Sequence, residues 1–133
     1  MSIHHWSPDD ARATSDYRRV LWTGEHSQVV VMTIAPGDDI GEETHPDNDQ
    51  ILSFVSGSGK AVVDGEEQFV AAGDIVAVAA GQRHNFINVG KSPLVLYTVY
   101  GPAHHADGAV HPTKEAAEEA EESGEDEPPA YAR

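Results

Sequence analysis

The sequence predicts an all-β domain, and three observations carry that expectation. Between Tyr17 and Tyr100, short segments rich in Val, Ile, Leu, Phe and Tyr alternate with turn signals roughly every 8–12 residues, the pattern of an antiparallel sandwich or barrel. No apolar run approaches the ~18 residues of a membrane-spanning helix. Two glycine-punctuated stretches, 37–57 and 73–88, set His, Glu and Gln side chains among apolar ones. At 133 residues the chain suffices for one core, and with no cysteine it has neither disulfides nor thiolate chemistry.

The elements follow in order. Ser7-Pro8-Asp9-Asp10 reads as a helix start, with Ser7 as cap and Pro8 at the first helical position of an N-terminal arm, 1–16. Strands are expected near 18–23, 27–35, 41–46, 50–56, 59–64, 66–70, 75–79, 83–88 and 93–100. Thr23-Gly24, Pro36-Gly37, Gly57-Ser58-Gly59, Ala72-Gly73 and Val89-Gly90 separate them, and Asp64-Gly65 reads as a tight hairpin turn of type I′. Asn88 is expected to tie a turn through backbone hydrogen bonds. Gly101-Pro102 closes a barrel domain of 17–102. In the extension 103–122, Thr113 caps a helix of strong helix formers through Glu122. From Ser123 to Arg133, acids and prolines predict a disordered acidic tail.

Charge narrows the function classes. The formal net charge is −15, and residues 103–133 hold nine acids against Lys114 and Arg133. Such a surface repels phosphate backbones, so no nucleic-acid partner is expected. The first ten residues lack the basic and apolar regions of a secretory signal, which makes the cytoplasm the expected location, with no membrane partner.

The residues that carry chemistry lie in the glycine-punctuated stretches. Side chains two apart on a strand share a face, so Glu43 and His45 project together. Gln50 follows on the next strand, and His84 lies in the second stretch. Taken singly, a Glu-x-His pair reads as solvated surface, Gln50 as a hydrogen-bonded interior amide, and His84 as an ordinary strand-start histidine. His26, Gln28, Tyr97 and Tyr100 are further candidates to face a pocket, with His26, Tyr97 and Tyr100 as possible acids or bases. His4-His5 and His104-His105 are too short and too near the ends to read as metal tracts.

The spacing of Gly37…Glu43-Thr-His45…Gln50…Gly57 and Gly73…Ala79-Ala-Gly81…His84…Asn88 resembles the two-part signature of the cupin superfamily. Glu43 stands where that pattern has its first His, Gln50 where it has Glu, and Ala79 where it has Pro. The resemblance implies a single cupin barrel, a double-stranded β-helix or jelly roll, whose strands bring Glu43, His45, Gln50 and His84 together on one divalent metal. Zn, Mn, Fe and Ni all suit that set. One carboxylate among neutral donors keeps the ligand charge at −1, as in a three-His, one-Glu site. Arg18 to Gln28, the Glu43-to-Gln50 core and Tyr97 to Lys114 also resemble small single-domain cupins called mannose-6-phosphate isomerase-like.

That likeness implies metal-assisted isomerisation or proton transfer on a small oxygenated metabolite. Arg18, Arg19, Lys60 and Arg83 are the cations available to a sugar phosphate. A metal-dependent dioxygenase and a non-catalytic small-molecule-binding module remain alternatives, and the fold resemblance implies a homodimer closing exposed sheet edges.

Overall fold

The structure, a computed structural model, describes residues 3–133. Helix α1 (Pro8–Arg12) begins with the expected capping box between Ser7 and Asp10. Ten strands follow: β1 (Arg18–Thr23), β2 (Gln28–Ile34), β3 (Glu43–Thr44), β4 (Asp49–Ser56), β5 (Ser58–Val63), β6 (Glu66–Ala71), β7 (Ile75–Val78), β8 (Arg83–Asn88), β9 (Leu94–Gly101) and β10 (Val110–His111). They form two antiparallel sheets, ordered β10-β1-β2-β9-β4-β7 and β3-β8-β5-β6. No helix among the described residues is long and apolar enough to cross a membrane.

Alternation along the strands decides what faces inward. On β4, Gln50, Leu52 and Phe54 are buried; on β8, His84, Phe86 and Asn88; on β9, Leu94, Leu96, Thr98 and Tyr100. The same strands therefore run from an apolar end, where the Phe54 and Phe86 rings lie 6.0 Å apart, to a polar end carrying Gln50, His84 and Tyr100. Burial of the apolar end supplies the driving force, about 25 cal/mol per Å² removed from water. The polar end is where a site has to be. A smaller cluster of Ala11, Val31 and Val95 packs α1 against the outer face.

Turn chemistry follows the sequence. Asp64 and Gly65 have φ of 49° and 82°, as a type I′ hairpin requires. The Asn88 amide donates to the carbonyls of Ile34 and Ser92, while its oxygen accepts from the Gly90 N–H. Gly57 combines a φ of 89° with crowding, since a Cβ there would lie 2.5 Å from the Pro93 carbonyl oxygen. Gly57→Ala is expected to lower stability by about 1–3 kcal/mol, read as a fall in the urea midpoint.

Two differences from the sequence reading concern the C-terminal third. Val110 and His111 form β10, which pairs with β1 at Arg19 and Arg18 and so carries the extension into the larger sheet. Helix α2 (Lys114–Ser123) is capped by Thr113 as expected and ends at Gly124 with a φ of 77°. The second difference corrects the expectation of a disordered tail, because Asp126 and Ala132 are buried and Ala130–Ala132 forms a 3-10 turn. Composition misleads there because Asp126 has partners outside the tail. Its carboxylate accepts from His105 Nδ1 at 2.6 Å and from the Ala106 N–H at 2.9 Å, and lies 3.8 Å from the Arg18 guanidinium.

Candidate metal centre

Pairing of β3 with β8 sets Glu43 directly opposite His84. His45 follows just beyond the end of β3, and its carbonyl accepts from the Gly81 N–H at 2.9 Å, joining the two glycine-punctuated stretches. One ligand atom from each of Glu43, His45 and His84 lies within 4.8 Å of the others. His45 and His84 are buried, and their ring centroids are 5.0 Å apart. Two imidazoles bonded at about 2.1 Å to one ion, at tetrahedral or octahedral angles, place their centroids roughly 4.5–5.2 Å apart. The observed spacing fits that geometry.

The unpaired atoms also fit a cation. His45 Nε2 lies 2.9 Å from Glu43 Oε2 but is not aligned as a hydrogen bond, and it is buried with no partner. The His84 Nδ1 sits 2.9 Å from the Gln82 carbonyl, which can only accept; Nδ1 therefore carries the proton and Nε2 keeps its lone pair. On β4, the Gln50 amide donates to the hydroxyls of Thr98 at 3.0 Å and Tyr100 at 3.3 Å. That leaves Gln50 Oε1 buried without a partner. Burial works against ionisation of Glu43, but contact with His45, then the charge of Arg18, outweigh it and hold the carboxyl below its usual range. A carboxylate, two imidazoles and a free amide oxygen are a donor set suited to a divalent metal. Asn88, at the far end of β8, stays structural.

The three candidate acid–base residues separate. Tyr100 is buried against the site, its ring centroid 5.9 Å from that of His45, and burial raises its hydroxyl pKa. Tyr97 corrects the expectation that both tyrosines face a pocket: three positions away on the same strand, it points outward and donates to the Ser7 carbonyl. His26 is corrected as well. It lies in the β1–β2 turn with its side chain 93% exposed, beside Glu25. Gln28 is interior but structural. Its amide donates to the His105 carbonyl and the Thr23 hydroxyl, and its oxygen accepts from the His104 and His105 N–H groups.

Sequence reasoning missed the His104-His105 pair. Gln28 clasps this segment from below, and Asn48 donates to the Pro102 and Ala103 carbonyls beside it. The His104 ring is thereby laid 4.2 Å from His45 and 5.5 Å from Tyr100. A usable signal was present, since β9 ends at the polar rim and His104 follows Tyr100 by four residues. The four cations considered for a sugar phosphate are all matched by acids: Arg18 with Glu121 (3.0 Å), Arg19 with Asp16 (3.6 Å), Lys60 with Glu67 (3.3 Å) and Arg83 with Glu42 (3.4 Å).

Burial presses the His104 imidazole down to about 3, with the nearby His105 and His45 adding to it. It presses His105 down to about 4 against the opposing bond to Asp126. Asp126 itself is raised by burial but lowered more by His105, reaching about 2. Below the ordinary histidine value of 6.5, the unfolded chain binds protons that the folded imidazoles refuse, so stability falls as pH drops toward 4. Asp126 contributes stability above its ordinary 3.8 that is lost as pH falls through about 2. The metal-free protein is therefore expected to have a lower urea midpoint at pH 5 than at pH 7. The limit is about 1.4 kcal/mol per pH unit for each imidazole. Equal midpoints at the two pH values would show that these rings are not held neutral by the fold.

The comparisons with known proteins agree with the fold. The family model described as Cupin domain (Cupin_2) matches residues 30–100. The uncharacterized protein YrkC of Bacillus subtilis is 38% identical over 117 residues, covering 84% of this chain and 63% of YrkC. A mannose-1-phosphate guanylyltransferase of Salmonella montevideo is 31% identical over 81 residues, covering 61% of this chain and 17% of that protein. The chain thus spans less than two thirds of these curated relatives. The crystal structure of BH2720 from Bacillus halodurans superposes with a TM-score of 0.84 at 38% identity, covering 85% of this chain and 90% of that one.

Proposed function

The chain belongs to the Cupin domain family, and from that premise we propose that it binds a divalent metal through Glu43, His45, Gln50 and His84 and acts on a small oxygenated metabolite by isomerisation or proton transfer. The observation that carries this reading is the convergence of Glu43, His45 and His84 within 4.8 Å, with His45 Nε2 buried 2.9 Å from Glu43 Oε2 and outside any aligned hydrogen bond. When bound, the metal would supply Lewis-acid polarisation of a carbonyl and its neighbouring hydroxyl. The residues supply the rest. Glu43 balances charge, the Gln82 carbonyl fixes the His84 tautomer, Thr98 and Tyr100 aim the Gln50 oxygen, and His104 closes the rim over His45. The likeness to mannose-1-phosphate guanylyltransferases extends to part of those proteins only and supports a sugar-related metabolite as the first class to test.

The test is metal analysis of protein purified from its native host, followed by solvent-deuterium exchange into added hydroxycarbonyl compounds. Zinc or manganese with exchange supports the reading. A metal-loaded protein that exchanges no hydrogen in any of them sinks the isomerase part and leaves a binding module. A second reading has its own observation: two histidines and one carboxylate are the ligand set of non-haem iron oxygenases. Bound iron with oxygen consumption would favour it. Homodimerisation is a further proposal, supported by exposed Phe69 and Ile75 on the outermost strands β6 and β7. Light scattering that finds a monomer at micromolar concentration removes it.

A further inference from the structure

Besides His45 Nε2 and Gln50 Oε1, three other buried side-chain atoms among the described residues have no hydrogen-bond partner: Arg18 Nε, His105 Nε2 and His111 Nδ1. An unmatched buried polar atom keeps its full desolvation cost, so such a group points to something polar that completes it. Arg18 and His105 share one carboxylate, since Asp126 Oδ2 lies 3.8 Å from Arg18 Nη1 and 2.6 Å from His105 Nδ1. The carboxylate can only accept, so His105 carries its proton on Nδ1. Its Nε2 keeps a lone pair on the side of the ring away from the tail. The His105 ring stands edge-on to Tyr100 at 5.0 Å, and Tyr100 also contacts Gln50 and His45. The unpaired acceptor therefore adjoins the candidate metal centre through one tyrosine, and the unpaired donor belongs to the side chain that shares Asp126 with His105.

We infer that the lumen has a second binding face beside the metal, on which His105 Nε2 accepts a hydrogen bond from a hydroxyl, and Arg18 Nε donates one to an oxygen, of a small uncharged α-hydroxycarbonyl compound. The inference rests on the proposed metal reading for the carbonyl end of that compound and for the charge balance. Absence of ligand charge follows from the residues. Glu43, Asp126 and the half-exposed Glu121 bring three negative charges, against which stand Arg18 and a divalent ion. An anionic ligand would add an unbalanced charge to a buried space. Asp126 is a positioning residue, acting through the His105 tautomer.

The experiment uses the full chain with dihydroxyacetone as probe, glycolate as the anionic comparator, and 15N-histidine labelling. In the zinc-loaded wild type, dihydroxyacetone is expected to shift the His105 Nε2 resonance and to bind at least tenfold more tightly than glycolate. His105→Phe and Asp126→Asn should each weaken dihydroxyacetone binding tenfold or more at unchanged zinc content. Asp126→Asn should also move the His105 proton to Nε2, a spectroscopic change that mere loosening of the tail does not produce. An unmoved Nε2 resonance, tighter glycolate binding, or undiminished binding by His105→Phe overturns the inference. The wild-type resonance remains decisive even if a variant fails to fold. Loss of the metal reading is seen separately, as wild-type protein that retains no zinc, while the Nε2 shift is still read in that metal-free protein.

Discussion

His84→Ala is expected to leave a folded barrel that no longer retains the divalent metal proposed for it. The residue contributes one of three donors that already lie within 4.8 Å of one another, and its Nε2 is fixed by the bond from Nδ1 to the Gln82 carbonyl. Removing only an outer partner of a ligating histidine typically costs about 10–100-fold in affinity, so loss of the ligand itself should exceed about 100-fold. Folding should suffer far less. His84 is at the polar end of β8, and the ring it touches, Phe86 at 6.0 Å, keeps its contact with Phe54 on the apolar side. The measurement pairs metal content after dialysis with a urea transition. Unchanged metal content would mean that the ion, if any, is held elsewhere. Loss of metal together with a collapsed urea midpoint would mean that the centre is part of the core rather than a site set upon it.

Much of the barrel was legible because its code is local. Alternation along 50–54 and 83–88 and turn residues such as Asp64-Gly65 specify strands and their inner faces without long-range information. The same code distinguishes Tyr97 from Tyr100, whose separation of three residues puts them on opposite faces. The Glu43, His45 and His84 cluster was legible only through the family spacing, because β3 and β8 are far apart in sequence and a two-residue strand has no periodicity of its own. What stayed hidden depends on pairing between distant polar residues. Nothing in the composition of 123–133 announces that Asp126 meets Arg18 and His105 more than twenty positions away, and an isolated reading of His104-His105 cannot see that Gln28 and Asn48 draw that segment over the rim. Buried polar networks are specified jointly, so each member looks unremarkable alone.

Arg18→Met, on β1, should be the most destabilising single substitution in the network that ties the C-terminal tail to the barrel. The guanidinium is 2% exposed, lies 5.5 Å from the centroid of the Tyr17 ring, and holds Glu121 at 3.0 Å and Asp126 at 3.8 Å. Methionine matches much of the volume but leaves buried Asp126 facing Glu121 with no cation between them. Breaking one side of a buried ion pair costs about 3–5 kcal/mol, because the remaining charge keeps its desolvation penalty. Asp126 would keep its bonds to His105 and Ala106 but lose its cation, so the backbone amides of residues 123–133 should exchange hydrogen faster while those of β4 and β9 keep their protection. The charge explanation makes a second demand. Adding Asp126→Asn to Arg18→Met removes the stranded charge, so the double variant should be more stable than the sum of the single losses, a coupling of at least about 1 kcal/mol in a double-mutant cycle. Additive losses would mean that Arg18 acts by packing against Tyr17 alone. A coupled pair would make the acidic tail a working part of the barrel, held by the same cation whose charge helps keep Glu43 ionised at the candidate metal centre.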